Sequence, residues 1–245
     1  MKNIIFILIL TVLSFANDNK NDFAEDFDSE FSKEKIEIFD PLSGYNRLMT
    51  SFNDKVYLNV LIPISKSYAN NVNENARIGI DNFFNNLMFP IRFTNNILQL
   101  KFINSLDELR LFLANTLWGF LGFVNFAEEL NIKIPKEDFG QTLGFYGVGE
   151  GFHVVLPFLG PSNLRDIAGI SADSYVSVLS TTGSSDLQYK ILNNTIEEVA
   201  IKGYNVINST SLNPDQYETI KKDALDLYPF LRDIYSQARQ KQIEE

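Results

Sequence analysis

The chain has 245 residues, 45% of them hydrophobic, with 21 Phe, 10 Tyr and one Trp, so it can build a sizeable core and is not disordered as a whole. Its 31 acidic residues outnumber 21 basic ones, a net charge of −10 that speaks against nucleic acid and against a polybasic grip on anionic headgroups. It has no cysteine, which excludes disulfides, zinc–thiolate sites and cysteine nucleophiles. The abundance of Phe hints at lipid contact, although Phe is equally a core residue; any hold on a bilayer would have to come from apolar burial.

Met1-Lys2-Asn3, the aliphatic run Ile4 to Leu13 and the small residues of Ser14-Phe15-Ala16 form the three regions of a secretory signal peptide over 1–16. Residues 17–38 are polar and acidic and predict a poorly ordered lead-in. Asp26 to Glu30 superficially resembles a calcium loop, but Phe31 stands where the turn-making Gly belongs, so that reading is rejected. A single domain is expected over 39–240, followed by a polar tail at 241–245.

Within it, Asn46 to Lys66 is helical in spacing, with Leu48, Phe52 and Val56 on one face and Pro63 as an interruption. A second helix is predicted over Glu74 to Met88, ended by Pro90, and Phe93 to Phe102 is a further apolar segment. Ser105 and Glu108 have the spacing of a capping box. From Leu111 to Ala127 there is no charge for about 17 residues, at the bottom of the range needed to span a bilayer. Gly119 and Gly122 divide that run, so it reads as a buried helix or as a segment lying in one leaflet.

Glycine and proline crowd residues 138–169 and predict turns and close backbone approaches, with His153 to Leu156 as a short strand or an extended lining segment. Helical spacing returns from Leu187 to Val199, with Glu197 and Glu198 facing outward. Asn213-Pro214 predicts the start of a helix towards Leu227, and Pro229 splits it from the last one.

Catalytic chemistry is poorly supported. His153 is the sole imidazole, and Ser162 and Asp166 lie near it in sequence, but no Gly-x-Ser-x-Gly elbow presents the serine. Gly147-Val148-Gly149-Glu150-Gly151 lacks the spacing of a phosphate-cradling loop. Arg165-Asp166 and Arg232-Asp233 read as structural charge pairs, with a lipid phosphate as the other partner an arginine there could meet. No catalytic residue, metal site or cofactor is expected.

Several separated motifs, in order, resemble the MlaA (VacJ) family of phospholipid transport proteins. Asp40-Pro41-Leu42-Ser43-Gly44-Tyr45-Asn46-Arg47 is similar to the family's opening, and Asn82-Phe83-Phe84-Asn85-Asn86-Leu87 with Pro90 to its next stretch. Asp138-Phe139-Gly140-Gln141-Thr142-Leu143-Gly144, Tyr146-Gly147, Leu156-Pro157-Phe158, Gly160-Pro161-Ser162, Arg165-Asp166 and Asp173 continue the order. The resemblance covers Asp40 to Leu179 and, more loosely, Tyr228 to Arg239. It implies an all-α fold, a ring of amphipathic helices with a Gly-rich loop segment, seated in the inner leaflet of the outer membrane around a polar channel. Misplaced outer-leaflet phospholipids would pass through it to a periplasmic carrier, with an outer-membrane porin as partner. Under that implication the motif residues are structural or channel-forming, and Leu117, Trp118, Gly119, Gly122 and Phe123 face the leaflet or flex. Two departures stand out. No Cys is available for acylation, so attachment is expected through apolar surface or a partner, the alternative being a soluble periplasmic lipid-binding or scaffolding protein. Gln99-Leu100 stands where the family often has Gln-Gly, so the turn there is expected to differ.

Overall fold

The computed structural model describes residues 39–127, 129–183 and 189–245. The signal peptide, the acidic lead-in and the expected helix start at Leu187 lie outside them. The described chain is helical apart from one small hairpin.

Helix α1 (Ser43–Val56) passes through a π-helical turn at Tyr57–Leu61 into α2 (Ile62–Asn71). Pro63 does not interrupt the helix, because it falls in the first turn of α2. The preceding turn is widened, Ile62 N–H reaching Tyr57 O, which makes room for the ring. Helix α3 (Glu74–Leu87) starts at Asn73, whose side chain accepts from Asn75 N–H at 2.9 Å. Only Met88 separates it from α4 (Phe89–Leu98), so Pro90 opens a helix as much as it closes one.

Helix α5 (Phe102–Leu117) begins a turn earlier than the expected capping box. Ser105 is interior and buried, its hydroxyl donating to Lys101 O at 3.1 Å, while Glu108 turns to Arg92. The capping box sits instead at the start of α6 (Phe139–Phe145), where Gln141 N–H donates to Asp138 Oδ1 at 2.9 Å and Asp138 N–H to Gln141 Oε1 at 3.1 Å. The uncharged run is not one helix either: beyond Leu117 it folds into turns, with Phe120, Leu121 and Gly122 at positive φ. Among the described residues no helix is long and apolar enough to cross a membrane.

Strands β1 (His153–Leu156) and β2 (Gly160–Asn163) pair antiparallel, His153 opposite Asn163 and Leu156 opposite Gly160. Then come α7 (Leu164–Val176), α8 (Thr195–Leu212), α9 (Gln216–Lys222) and α10 (Leu227–Glu244). Glu198 does not face outward as expected; it accepts from the backbone and hydroxyl of Thr181 at 2.8 and 2.7 Å. The helix expected at Asn213-Pro214 starts at Gln216, after Asp215. Pro229 lies in the first turn of α10, which continues through the residues expected as a polar tail.

Helix α4 packs on α5, α6 on α7, and α8 on both α2 and α3, while the hairpin lies against α1 and α10. Arg77 ties two helix ends, donating to Val72 O after α2 and to Ser211 O in the last turn of α8, where carbonyls lack helical partners. The interior is unusual in its chemistry. Among the described residues six hydrophobic side chains are buried, against 25 polar or charged ones. One apolar cluster centres on Phe84, Leu179 and Leu192, while many large apolar side chains face outward.

The turn after α4 answers the Gln99-Leu100 departure. Lys101 N–H reaches Asn96 O at 2.9 Å and Leu100 N–H reaches Ile97 O at 3.0 Å, with Leu100 at φ 61. The same closure ends α6, with Gly147 at φ 81 in the matching position. Leucine therefore adopts the geometry that glycine takes without cost. Leu100→Gly is expected to stabilise the fold by ~1 kcal/mol and Gly147→Leu to destabilise it by a similar amount, measured as shifts in the urea midpoint.

Candidate functional site

The spacing of Asn46 and Asn53 along α1 has a structural consequence. Both lie on one face of α1, two turns apart, and both turn their amides to the hairpin. Asn46 Nδ2 donates to His153 O at 3.0 Å, and Val155 N–H donates to Asn46 Oδ1 at 2.8 Å. Asn53 does the same one step on, with Leu156 O at 2.9 Å and Phe158 N–H at 2.7 Å. The side-chain amides thus act as a neighbouring strand would, satisfying the outer edge of β1. Asn46 also donates to Asp40 Oδ1 at 3.1 Å and to the Tyr228 hydroxyl at 3.0 Å, and that hydroxyl donates to Asp40. Burial, then the bond to Asp40, pushes the Tyr228 hydroxyl up to about 12. Pro41 leads into α1, and Arg47 reaches Asp226 at 2.7 Å on the surface. Pro157 and Gly160 frame the hairpin loop, Gly160 at φ 87.

The second centre joins α6, α7 and α10. Arg239 Nη1 and Nη2 donate to the two oxygens of Asp138 at 2.7 and 2.9 Å, while Nε and Nη2 donate to Asp166 at 2.9 and 3.0 Å. Asp166 also accepts from Tyr235 at 2.6 Å, from Asn163 Nδ2 at 2.9 Å and from Arg165 at 3.2 Å. Burial by itself would raise Asp166, but the hydrogen bonds from Arg239 and Tyr235 prevail and hold it below the ordinary carboxylate range. Asp173 behaves oppposite: burial raises it, although Phe139 N–H and Asn95 Nδ2 donate to it at 3.0 and 2.9 Å.

Glycines make this centre possible. A Cβ at Gly140 would collide with Asp166 and lie 2.7 Å from Arg239, and one at Gly169 would run into the Gly140 backbone. A Cβ at Gly144 would fall 2.5 Å from Ile243 of α10.

The remaining expected residues meet at the end of α5. Phe83 stacks on Phe123 at 5.2 Å, and Asn82 Nδ2 donates to Phe123 O at 3.3 Å. A Cβ at Gly119 would strike the carbonyls of Asn115 and Val124, and one at Gly122 would press on Asn86, so both glycines sit in a tightly packed turn. Leu117, Trp118, Phe120 and Leu121 point outward from it, each more than 60% exposed.

Beside this turn are two hollows. One, of about 260 Å³, has a mixed wall, with Arg92, Glu108, Asn115 and Lys136 beside Leu111, Phe112 and Ile134. The other, of about 570 Å³, is lined by Leu113, Leu117, Trp118 and Leu130; Ile132 borders both. Glu108 is buried and pairs with Arg92 at 2.7 Å.

His153, Ser162 and Asp166 do not form a triad. The His153 Nε2 partner is Ser236 Oγ at 3.1 Å, and Asp166 is engaged by Arg239 and Tyr235. Arg165-Asp166 and Arg232-Asp233 do form the expected pairs, at 3.2 and 2.8 Å.

The sequence profile of the MlaA lipoprotein family matches residues 38–242, which takes in every residue of both centres. The chain belongs to the MlaA family. An Escherichia coli relative described as an intermembrane phospholipid transport system lipoprotein is 39% identical over 145 residues, 58% of each chain. The Haemophilus influenzae protein of the same description is 33% identical over 147 residues, again 58% of each. A Rickettsia bellii protein is 27% identical over 209 residues, covering 85% of this chain and 78% of its own. A solved structure concerned with maintenance of bacterial outer membrane lipid asymmetry superposes with a TM-score of 0.67 at 29% identity, covering 84% of this chain and all of that one.

Arg239 and Tyr235 escaped the sequence reading, because a lone Arg in a polar helix shows no sign of the two aspartates it serves. Arg92 and Glu108 escaped it too, Glu108 having been assigned to a cap. Gly140→Ala is expected to lower unfolding free energy by ~2–3 kcal/mol through overpacking, while Gly149→Ala, which has open space around it, leaves the urea midpoint unchanged.

Acid should weaken the fold in a defined direction. Burial opposes ionisation of Glu198, yet Lys202 and Thr181 hold it at about 2, against an ordinary 4.5. Asp166 is also depressed, so for both groups the unfolded chain binds protons first. Their contributions are complete above the unfolded values and drain away as pH falls, for Glu198 between about 4.5 and 2. Asp173, being raised, offsets part of the loss. Glu198→Gln is expected to flatten the fall in urea midpoint across that range.

Proposed function

We propose that this chain is a non-enzymatic phospholipid transport component of the cell envelope, residing in the inner leaflet of the outer membrane. In this reading it takes misplaced phospholipids from the outer leaflet and passes them to a periplasmic carrier, beside an outer-membrane porin, and so maintains lipid asymmetry. The observation that carries the reading is the inverted polarity of the fold: polar side chains crowd the interior while large apolar ones cover much of the exterior. In water such a surface is a liability, whereas against acyl chains it is a match. A polar interior is what a charged headgroup needs in crossing an apolar layer. The relatives' descriptions as phospholipid transport lipoproteins support the same assignment.

Packing of the sole imidazole on Ser236 and of Asp166 on Arg239 supports a non-enzymatic role. The helices would stand as a ring, with the Asp40, Asn46, Asp138 and Arg239 centres bracing its wall and the motif glycines permitting close helix approach. No residue of this sequence can carry a thioether-linked lipid, so the reading makes the exposed turn at Leu117, Trp118 and Phe120 a principal hold on the leaflet.

Each of these side chains contributes ~1.5–3 kcal/mol when fully buried, so replacing three with polar residues shifts partitioning by well over tenfold. The variant Leu117→Ser, Trp118→Gln, Phe120→Ser is expected to leave the carbonate-washed outer membrane and to lose co-purifying phospholipid, with its helical circular dichroism unchanged. A wild-type protein recovered soluble and lipid-free would instead support a periplasmic scaffold.

A further inference from the structure

We propose that the two adjoining hollows at the end of α5 form one lipid-binding site, selective for a phospholipid whose headgroup carries a primary ammonium. The inference rests on the transport reading and names the headgroup class that reading leaves open.

The starting point is Glu108. Its residue exposure is 3%, and Oε1 accepts from Arg92 Nε at 2.7 Å. An arginine facing a carboxylate commonly closes a two-bond fork, yet here a single bond forms. Arg92 Nη1 is directed to Asn85 O at 2.8 Å instead. Glu108 Oε2 is buried and, among the described residues, has no hydrogen-bond partner. A buried carboxylate oxygen without a donor is costly, and because Glu108 is among the residues that line the cavity, a donor entering from outside would relieve it.

Charge is unevenly placed along the cavity. Glu108, paired on one oxygen with Arg92, and Asn115 are among its buried residues, while Lys133 and Lys136 stand exposed in its wall. Lys136 Nζ donates to Asn85 Oδ1 at 3.0 Å. An ammonium directed inward would meet Glu108 Oε2, and the phosphate linked to it would remain near the lysines. The cavity's 260 Å³ compares with ~30 Å³ for one water in the liquid, so it accommodates a group far larger than a single solvent molecule.

The second hollow supplies what a headgroup site alone lacks. It shares Ile132 with the first and continues as a mainly apolar lining of Leu113, Leu117, Trp118 and Leu130, with the Asp107–Arg110 pair also in its wall. A cavity holding buried charge that adjoins a mainly apolar one suits an amphiphile better than a free anion. Among headgroups, ethanolamine brings N–H donors and a positive charge to Glu108. Glycerol brings hydroxyls without charge, and choline brings charge without donors.

The experiment offers the full chain vesicles with equal phosphoethanolamine, phosphoglycerol and phosphocholine lipids, then weighs the captured lipids by mass spectrometry. The wild type is expected to enrich the phosphoethanolamine lipid about tenfold over phosphoglycerol, and Glu108→Gln to bring that ratio near one while total captured lipid is retained. Lys133→Ala with Lys136→Ala is expected to reduce capture of all three without changing the ratio. Should Glu108→Gln fail to fold, competition on the wild type decides: glycerophosphoethanolamine displaces the captured lipid, and glycerophosphoglycerol and inorganic phosphate do not. Capture in vesicle proportions, a ratio unmoved by folded Glu108→Gln, or equal displacement by inorganic phosphate would overturn the site and leave the transport reading standing. Capture of no lipid at all would overturn both.

Discussion

Helices α6 and α7 approach until the backbone at Gly140 leaves no room for a Cβ on Gly169, and much of the interior depends on that contact. It brings Asp138 at the head of one helix beside Asp166 in the first turn of the other, so that one guanidinium from α10 bonds both. Two carboxylates held this near repel each other unless a cation intervenes, and Arg239 supplies it with its planar fork. Removing the cation would leave buried charge uncompensated, which makes α10 a required part of the fold. Tyr235 and Tyr228, on the same helix, serve Asp166 and Asp40 in turn.

A polar interior demands that each buried group find its partner, and asparagine meets that demand repeatedly here. Asn46 and Asn53 complete the edge of a strand, Asn95 links Thr142 to Asp173, Asn208 donates to Arg77 O, and Asn163 caps α7. A short amide carries both donors and an acceptor without charge, so it joins helices at little desolvation cost. Apolar burial, the usual source of cohesion, is sparse among the described residues and gathers in a small cluster at Phe84, Leu179 and Leu192. The outward apolar surface is then available to a lipid environment, which ties the stability of the fold to the place proposed for it.

The motif spacing carried the family and the helical fold class directly, because turn glycines, capping residues and paired aspartates recur at fixed distances along the chain. Local patterning also offered a strand at His153 to Leu156, though not its partner strand, and placed the helix that ends at Leu87. Local chemistry misled where a residue had two uses: Ser105 and Glu108 match a cap in spacing but are buried inside a helix, and Glu198 looks like a solvent-facing charge but receives Thr181. In each case a long-range partner outweighed the local preference.

By itself the sequence determined family, net charge, the positions of the turns and the uncharged stretch that begins at Leu111 inside α5, since these depend only on neighbours in the chain. Only the tertiary structure decided that this stretch bends outward at Leu117, that Arg239 serves two aspartates and that Glu108 keeps one oxygen without a donor among the described residues. The physical reason is distance along the chain: Arg239 lies 101 residues from Asp138 and 73 from Asp166. No periodicity records a pairing of that length, and only packing brings the charges together.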